Sequence, residues 1–255
     1  DPQSLKVCAK AADILHSAIQ NQQKIAIFAD YDVDGGTSAA LLIDFLRQFA
    51  IEPTLYVPDR ITEGYGPNPK AMAALADHHD LIICVDCGTL AHEALEAARA
   101  ADVVVLDHHL GGETLPEARA VVNPNRQDET SDLAHLCAAA VVFMVLTQVA
   151  RMMRTQGQTP PNLINTLDLV ALATVADVAP LIGVNRAFVR QGLKVMSQRK
   201  RVGLNALSDV AGLNAAPSAY HLGYVLGPRI NAGGRIGKAD LGARLLACNT
   251  PHEAA

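Results

Sequence analysis

Residues 24–42 read KIAIFADYDVDGGTSAALL, and this stretch limits the folds open to the chain more than any other. Ile25-Ala26-Ile27-Phe28 is a short apolar run bounded by turn chemistry, the pattern of a buried strand. Three aspartates follow at alternate positions, Asp30, Asp32 and Asp34, and then Gly35-Gly36. Thr37 or Ser38 can cap the apolar helix expected from about residue 37 to 49. On an extended segment alternate side chains project to one side, so the three carboxylates are expected to converge. Two carboxylates about 5 Å apart repel by roughly 3 kcal/mol at an effective dielectric of 20. Such a cluster holds a proton or binds a cation. The stretch therefore reads as a divalent-metal site at the mouth of a sheet.

The rest of the first half repeats the strand-then-helix rhythm. An amphipathic helix carrying Leu5, Cys8, Ala12, Leu15 and Ile19 precedes the stretch and ends near Asn21. Short strands are expected at 53–58, 81–85, 103–106 and 120–122, with helices at about 70–77 and 91–101 between them. That alternation implies a parallel sheet with right-handed crossovers and helices on both faces. From residue 133 the periodicity is helical only, with spans expected at 133–154 and 162–178 and shorter helices over 185–226. Residues 227–237, GPRINAGGRIG, read as a glycine-rich loop before a last helix from about Ala239. Residues 1–190 are expected to form the catalytic domain. Residues 191–255 would be a helical region leading toward a C-terminal domain outside this sequence.

Composition narrows the classes. Half of the 255 residues are hydrophobic, 18% are charged and there is no Trp, which suits a globular α/β chain of one or two domains. The apolar runs are short, so no membrane span is expected, and no signal pattern opens the chain; the expected location is the cytoplasm. The five cysteines fall at mostly apolar positions and read as reduced core thiols. Cys84 and Cys87 are formally C-x-x-C, but a zinc site would need a second pair. A net charge of −5 excludes a uniformly basic surface without excluding a local basic path.

In an open parallel sheet, ligands bind beyond the carboxyl ends of the strands. Asp30/Asp32/Asp34, Asp86 and Asp107-His108-His109 each follow an apolar strand, so all three clusters fall on one edge. Asp77-His78-His79 repeats the last triplet but precedes a strand, which puts it on the opposite edge as a solvated turn. Carboxylates with an imidazole suit Mn²⁺ or Mg²⁺. Several shared acids point to two ions, an arrangement suited to in-line phosphoryl displacement. An EF-hand loop would need Glu where Leu41 stands, and a helix before it rather than a strand. A dehalogenase-type phosphatase reading of Asp32, Asp34 and Thr37 is broken by an extra glycine, and no G-K-[ST] phosphate loop occurs.

The segments ADYDVDGGTSAALL, VDCGT, LDHH, ATVADVAPL and GPRINAGGRIG, in this order, resemble the motifs of the DHH phosphoesterase superfamily. Within it they are most similar to the RecJ-like exonucleases specific for single-stranded DNA. The resemblance covers residues 25–237. It implies that Asp32, Asp34, Asp86, His108 and Asp177 hold two Mn²⁺ or Mg²⁺ ions, with Asp30 close by and Asp86 bridging. From spacing alone Asp177 is a helix-end acid. The resemblance also implies that His109 faces the scissile phosphate, with Asp107 orienting the histidines, and that the products are nucleotides released 5′ to 3′ in DNA repair and recombination. Arg60, Arg229, Asn231 and Arg235 are the candidates for phosphate contact, and Tyr65 and Tyr220 for base stacking. Arg199-Lys200-Arg201 reads as a solvated helix end. A single-strand-binding protein and a helicase are the partners such an enzyme implies. A DHH phosphodiesterase acting on short oligonucleotides or cyclic dinucleotides, or a silent replication scaffold, is the alternative.

Overall fold

Five short strands carry the apolar runs: β1 (Ile25–Ala29), β2 (Thr54–Tyr56), β3 (Leu81–Val85), β4 (Asp102–Leu106) and β5 (Ala120–Val122). In this computed structural model they form one fully parallel sheet in the order β2-β1-β3-β4-β5. The structure describes residues 1–60, 62–236 and 238–254. Ile61 and Gly237, which fall within the loop and the glycine-rich segment read from the sequence, lie outside the described residues.

Every residue of β1 and β3 is buried, as a strand covered on both faces requires. Ile25, Ile27, Ala29, Leu81, Ile83 and Val85 pack on one side, against α1 (Cys8–Gln20), α2 (Val33–Arg47) and α5 (Ala138–Thr155). Ala26, Phe28, Ile82 and Cys84 pack on the other, against α3 (Pro69–Ala76) and α4 (His92–Ala97). The alternation assigns neighbouring residues to different cores, so a one-residue slip in register would invert both. Chain order reverses beside β1, where β2 lies on one side and β3 on the other. The carboxyl ends at such a switch point open a crevice.

Two sequence expectations change here. The helix after β1 begins at Val33, four residues before Thr37. Its cap is Asp32, whose Oδ1 accepts from the backbone N–H of Asp34 at 2.9 Å and of Gly35 at 3.0 Å. Asp34 therefore lies in the first helical turn and not on an extended strand. The Asp32 carboxylate caps because its oxygen reaches two of the orphan N–H groups of the first turn at once. Likewise, residues 227–236 are not a loop: they form helix α10 (Gly227–Ile236), preceded by α9 (Ala219–His221) and a π-helical stretch, Leu222–Leu226. A Cβ at Gly227 would lie 3.0 Å from Ala176 Cβ, and one at Gly234 would lie 2.9 Å from the Tyr31 carbonyl. These glycines allow a helix to sit close against its neighbours.

The helical half packs on the sheet's first face through α5, α6 (Leu167–Ala176) and α7 (Gly183–Met196). Helix α5 is 18 residues long with mean hydropathy 1.2, long and apolar enough to cross a membrane by length and composition; 72% of it is buried within the fold. It begins at Ala138 rather than 133 and has no side-chain cap of its own. Asp34 supplies the cap across space, accepting from Ala138 N–H at 2.6 Å and Ala139 N–H at 2.8 Å. A carboxylate at a helix N-terminus is stabilised by the helix dipole as well as by the two hydrogen bonds. One acid thus ties α2 to α5 beneath the crevice.

The basic run at 199–201 does not end a solvated helix throughout. Arg201 precedes α8 (Val202–Val210) and is half-buried, with Nε donating to Asp168 at 2.8 Å and Nη1 to Asp44 at 2.7 Å and to the Leu246 carbonyl at 3.0 Å. It joins α2, α6 and α11 (Leu241–Ala247), and the chain closes with α12 (Pro251–Ala254). Four of the five cysteines are buried and all are free. Burial pushes the Cys84 and Cys87 thiols well above their usual range, which leaves them inert.

Candidate metal centre

Three strand ends and one helix end bring the polar residues together. Asp30 follows β1, Asp86 follows β3, Asp107-His108-His109 follows β4, and Asp177 terminates α6. Donor atoms of Asp30, Asp32 and Asp86 lie within 4.8 Å of one another, as do those of Asp34, His108 and Asp177, and those of Asp86, His108 and His109. His108 Nε2 is 3.3 Å from Asp86, 3.6 Å from Asp34 and 3.8 Å from Asp177. Asp86 and His108 each belong to two of the three groups. The Asp86 backbone is left-handed, φ 59°, a conformation that costs a non-glycine residue roughly 1 kcal/mol or more. Gly35 is forced in turn, since a Cβ there would lie 2.4 Å from the Asp30 carbonyl.

The decoy triplet is elsewhere. Asp77 ends α3, and His79 closes onto the Leu75 carbonyl and the Thr54 hydroxyl, at the amino end of β2.

The electrostatics of the cluster are those of acids without enough counter-charge. Burial, reinforced by Asp32, pushes Asp30 up to about 7. Burial also raises Asp34, with Asp177 adding repulsion, and raises Asp86, with Asp34 adding repulsion. Asp177 is raised by burial and partly restored by His108. Burial lowers His108, which favours the neutral ring that a metal would need. Asp30 Oδ1 and Asp86 Oδ1 are buried with no hydrogen-bond partner. A buried, unpaired carboxylate oxygen costs a few kcal/mol unless a cation or proton meets it. Oxygen-rich groups with one or two imidazoles fit a hard divalent ion better than a thiolate-seeking one.

Asp107 has the opposite environment. Its Oδ1 accepts from His109 Nδ1 at 2.7 Å, His108 N–H at 2.7 Å and His109 N–H at 3.2 Å, and its Oδ2 accepts from Thr89 N–H at 3.0 Å. Burial alone would raise it; the hydrogen bonds from His109 and Thr89 outweigh burial and hold it far below the usual carboxylate range. The same bond raises His109. Behind this pair, Asn123 donates to Thr89 Oγ1 and to the His109 carbonyl, both at 2.8 Å, and Asn125 donates to the His108 carbonyl at 2.6 Å. Sequence reasoning missed Thr89, Asn123 and Asn125; the turn pattern after β5, Asn-Pro-Asn, was their only signal.

Tyr65, a stacking candidate from the sequence, joins the site through its hydroxyl. Its hydroxyl lies 3.2 Å from His109 Nε2, so both nitrogens of that ring are engaged. Arg60 stacks its guanidinium over the Tyr31 ring at 5.3 Å and is close enough to lower Asp30. Asn231 Oδ1 accepts from Val33 N–H at 3.0 Å, capping α2 beside Asp32. Arg229 and Arg235 are exposed and form no bond to the acidic cluster among the described residues. Because α10 is a helix, its interior amides are engaged within the helix. Residues 227–236 therefore offer a helix where the sequence suggested a glycine-rich loop.

Residues 24–174 match the DHH family, N-terminal domain. The single-stranded-DNA-specific exonuclease RecJ of Dickeya dadantii is 40% identical over 252 residues, a match covering 94% of this chain and 44% of that protein. A crystal structure of exonuclease RecJ bound to manganese superposes with TM-score 0.87 at 33% identity, covering 98% of this chain and 63% of that one. RecJ of Thermus thermophilus in complex with Mg²⁺ gives TM-score 0.71 at 30% identity, covering 98% of this chain and 32% of that one. The chain spans less than half the length of the curated RecJ relatives it matches.

Proposed function

The chain belongs to the DHH family, and on that premise we propose that it is the hydrolytic core of a metal-dependent exonuclease acting on single-stranded DNA. The observation that carries this reading is the cluster of Asp30, Asp32, Asp34, Asp86, His108 and Asp177 at one sheet edge, with two buried carboxylate oxygens that have no hydrogen-bond partner. In this reading Asp32, Asp34, Asp86, His108 and Asp177 would hold two Mn²⁺ or Mg²⁺ ions, with Asp30 available beside them. Bound there, the ions supply Lewis acidity at a phosphodiester and acidify a water.

The chain's own residues do the rest. Asp107 accepts a hydrogen bond from His109 Nδ1–H and stabilises the protonated ring, so that an Nε2–H donor faces the crevice. His109 Nε2 then meets a phosphate oxygen where the Tyr65 hydroxyl now lies. Asp34 ties α2 to α5, which holds the helix start beneath the cluster in place. Arg60 beside Asp30 is placed for a substrate phosphate, and Arg229 and Arg235 for phosphates further along a strand. Asn231 acts through its cap on α2.

The single-strand preference draws support from the names of the RecJ relatives; the 5′-to-3′ direction and a role in repair and recombination are part of the same proposal. A cytoplasmic setting, with a single-strand-binding protein and a helicase nearby, belongs to the same reading. So does the division in which residues 1–190 carry the chemistry and 191–255 lead toward a further wall of the DNA channel.

The test is degradation of 5′-phosphorylated single strands, duplexes and dinucleotides in Mn²⁺. Mononucleotide release from single strands, abolished in Asp34→Ala and His108→Ala, is the expected result. Preference for dinucleotides or duplex, or full Mn²⁺-dependent activity in either variant, would overturn the proposal.

A further inference from the structure

Leu222 and Leu226 are buried, and residues four apart share one helical face, so Tyr220 and Tyr224 are turned to the opposite side. They are 64% and 74% exposed, and their rings stack on each other with centroids 5.2 Å apart and planes 26° apart. His221 adds an edge-on ring 5.8 Å from Tyr220. In a chain with five Tyr, five Phe and no Trp, this is a concentration of aromatic surface in water.

Charge and position both connect the pair to the crevice. Arg229 is exposed and folds its guanidinium back onto the Val225 carbonyl at 2.8 Å, next to Tyr224. Among the described residues neither Arg229 nor Arg235 pairs with a carboxylate, so both cations are available to an anion. A Cβ at Gly223 would lie 3.3 Å from Val175 Cγ1, and one at Gly227 would lie 3.0 Å from Ala176 Cβ. The tyrosine-bearing stretch therefore lies on the last turn of α6, which ends at Asp177. From there α10 runs on to place Asn231 on the amide next to Asp32.

We propose that Tyr220 and Tyr224 form a stacking platform for unpaired bases of a nucleic-acid strand whose phosphates meet Arg229 and Arg235 on the way to the metal centre. The proposal deepens the exonuclease reading and rests on it. Stacking uses the π-face that every base has, so the platform accepts any sequence. In a duplex those faces are covered by neighbouring base pairs, so the platform discriminates against paired DNA without reading a base edge.

The experiment measures anisotropy of a labelled thymidine oligonucleotide, and of the same strand carrying abasic sites, with Mn²⁺ omitted so that no cleavage occurs. The doubly substituted chain, Tyr220→Ala with Tyr224→Ala, is expected to bind thymidine strands about tenfold more weakly. Tyr224→Trp restores the affinity. The original chain loses a similar factor on abasic strands, where the double variant loses nothing more. Because both rings are exposed, the substitutions leave the core untouched. Affinity in the double variant within twofold of the original overturns the platform and leaves the tyrosines as a surface for a protein; absence of strand binding by the original chain overturns it too. Binding with the expected pattern, but no Mn²⁺-dependent nucleotide release, sinks the exonuclease reading and leaves the platform standing.

Discussion

Replacing Asp107 by Asn keeps the shape and removes one acceptor oxygen and the charge. In the native site four donors converge on this carboxylate, three on Oδ1 and one on Oδ2. The Asn amide oxygen can keep the first three, but its NH₂ then points at the Thr89 N–H, and a buried donor is left unpaired at a cost of about 1–3 kcal/mol. The remaining bonds also lose their ionic strength, so the total destabilisation is roughly 2–4 kcal/mol, or about 5–15 °C in melting temperature for a chain of this size. The effect depends on pH with a definite sign. Asp107 is lowered in the folded chain, so its contribution is present above the ordinary carboxylate range and lost only in strong acid. His109 is raised by Asp107, so its contribution is complete below its unfolded value and fades as pH climbs through the folded one. The deficit of Asp107→Asn is therefore greatest near pH 5–6 and smaller above pH 8. Activity falls by roughly 10²-fold, because a neutral amide no longer stabilises the charged His109 ring. Thermal melts from pH 5 to 9 and Mn²⁺-dependent hydrolysis rates check both parts. A variant melting within 2 °C of the native chain, with rates within threefold, would refute the reasoning.

Other substitutions probe the frame. Arg201→Met leaves the buried carboxylate of Asp168 and the half-buried one of Asp44 without their cation and is expected to cost about 3 kcal/mol; adding Asp168→Asn and Asp44→Asn recovers part of it, which denaturant melts resolve. Gly35→Ala drives a methyl into the Asp30 carbonyl 2.4 Å away, so stability falls by about 1–3 kcal/mol and Mn²⁺ affinity falls with it, both measurable by calorimetry. The raised acids favour the metal-free fold most below the ordinary carboxylate range, and that contribution fades as pH rises through the Asp30 value of about 7. Ions must displace those protons, so Mn²⁺ binding at pH 6.5 releases protons, seen as a heat that changes with buffer; no buffer dependence would count against the site.

The sheet was legible because buried strands need unbroken apolar runs, and residues 25–28, 81–85 and 103–106 have few other uses. Strand-end position then picked out Asp86 and the triplet at 107–109 and set aside the one at 77–79. Two local readings failed for one physical reason. Glycine serves close approach as well as turns: Gly35 lets α2 start against Asp30, and Gly227 and Gly234 let α10 lie against α6 and Tyr31. Composition alone does not separate these uses. Arg201 was misplaced because a basic residue in a basic run carries no mark of burial; only the fold brings Asp44 and Asp168 to it. Asp177 and the Tyr65–His109 contact are likewise products of tertiary packing, as are Asn123 and Asn125 behind the histidines.

The central claim is that one ring of acids and imidazole holds two divalent ions. Crystals of the chain soaked in Mn²⁺ and measured at the manganese edge test it most directly. Two anomalous peaks, both enclosed by Asp30, Asp32, Asp34, Asp86, His108 and Asp177, and both weakened in Asp86→Asn, are the predicted result. No peak in that ring, or density at His78 and His79 instead, would contradict the account.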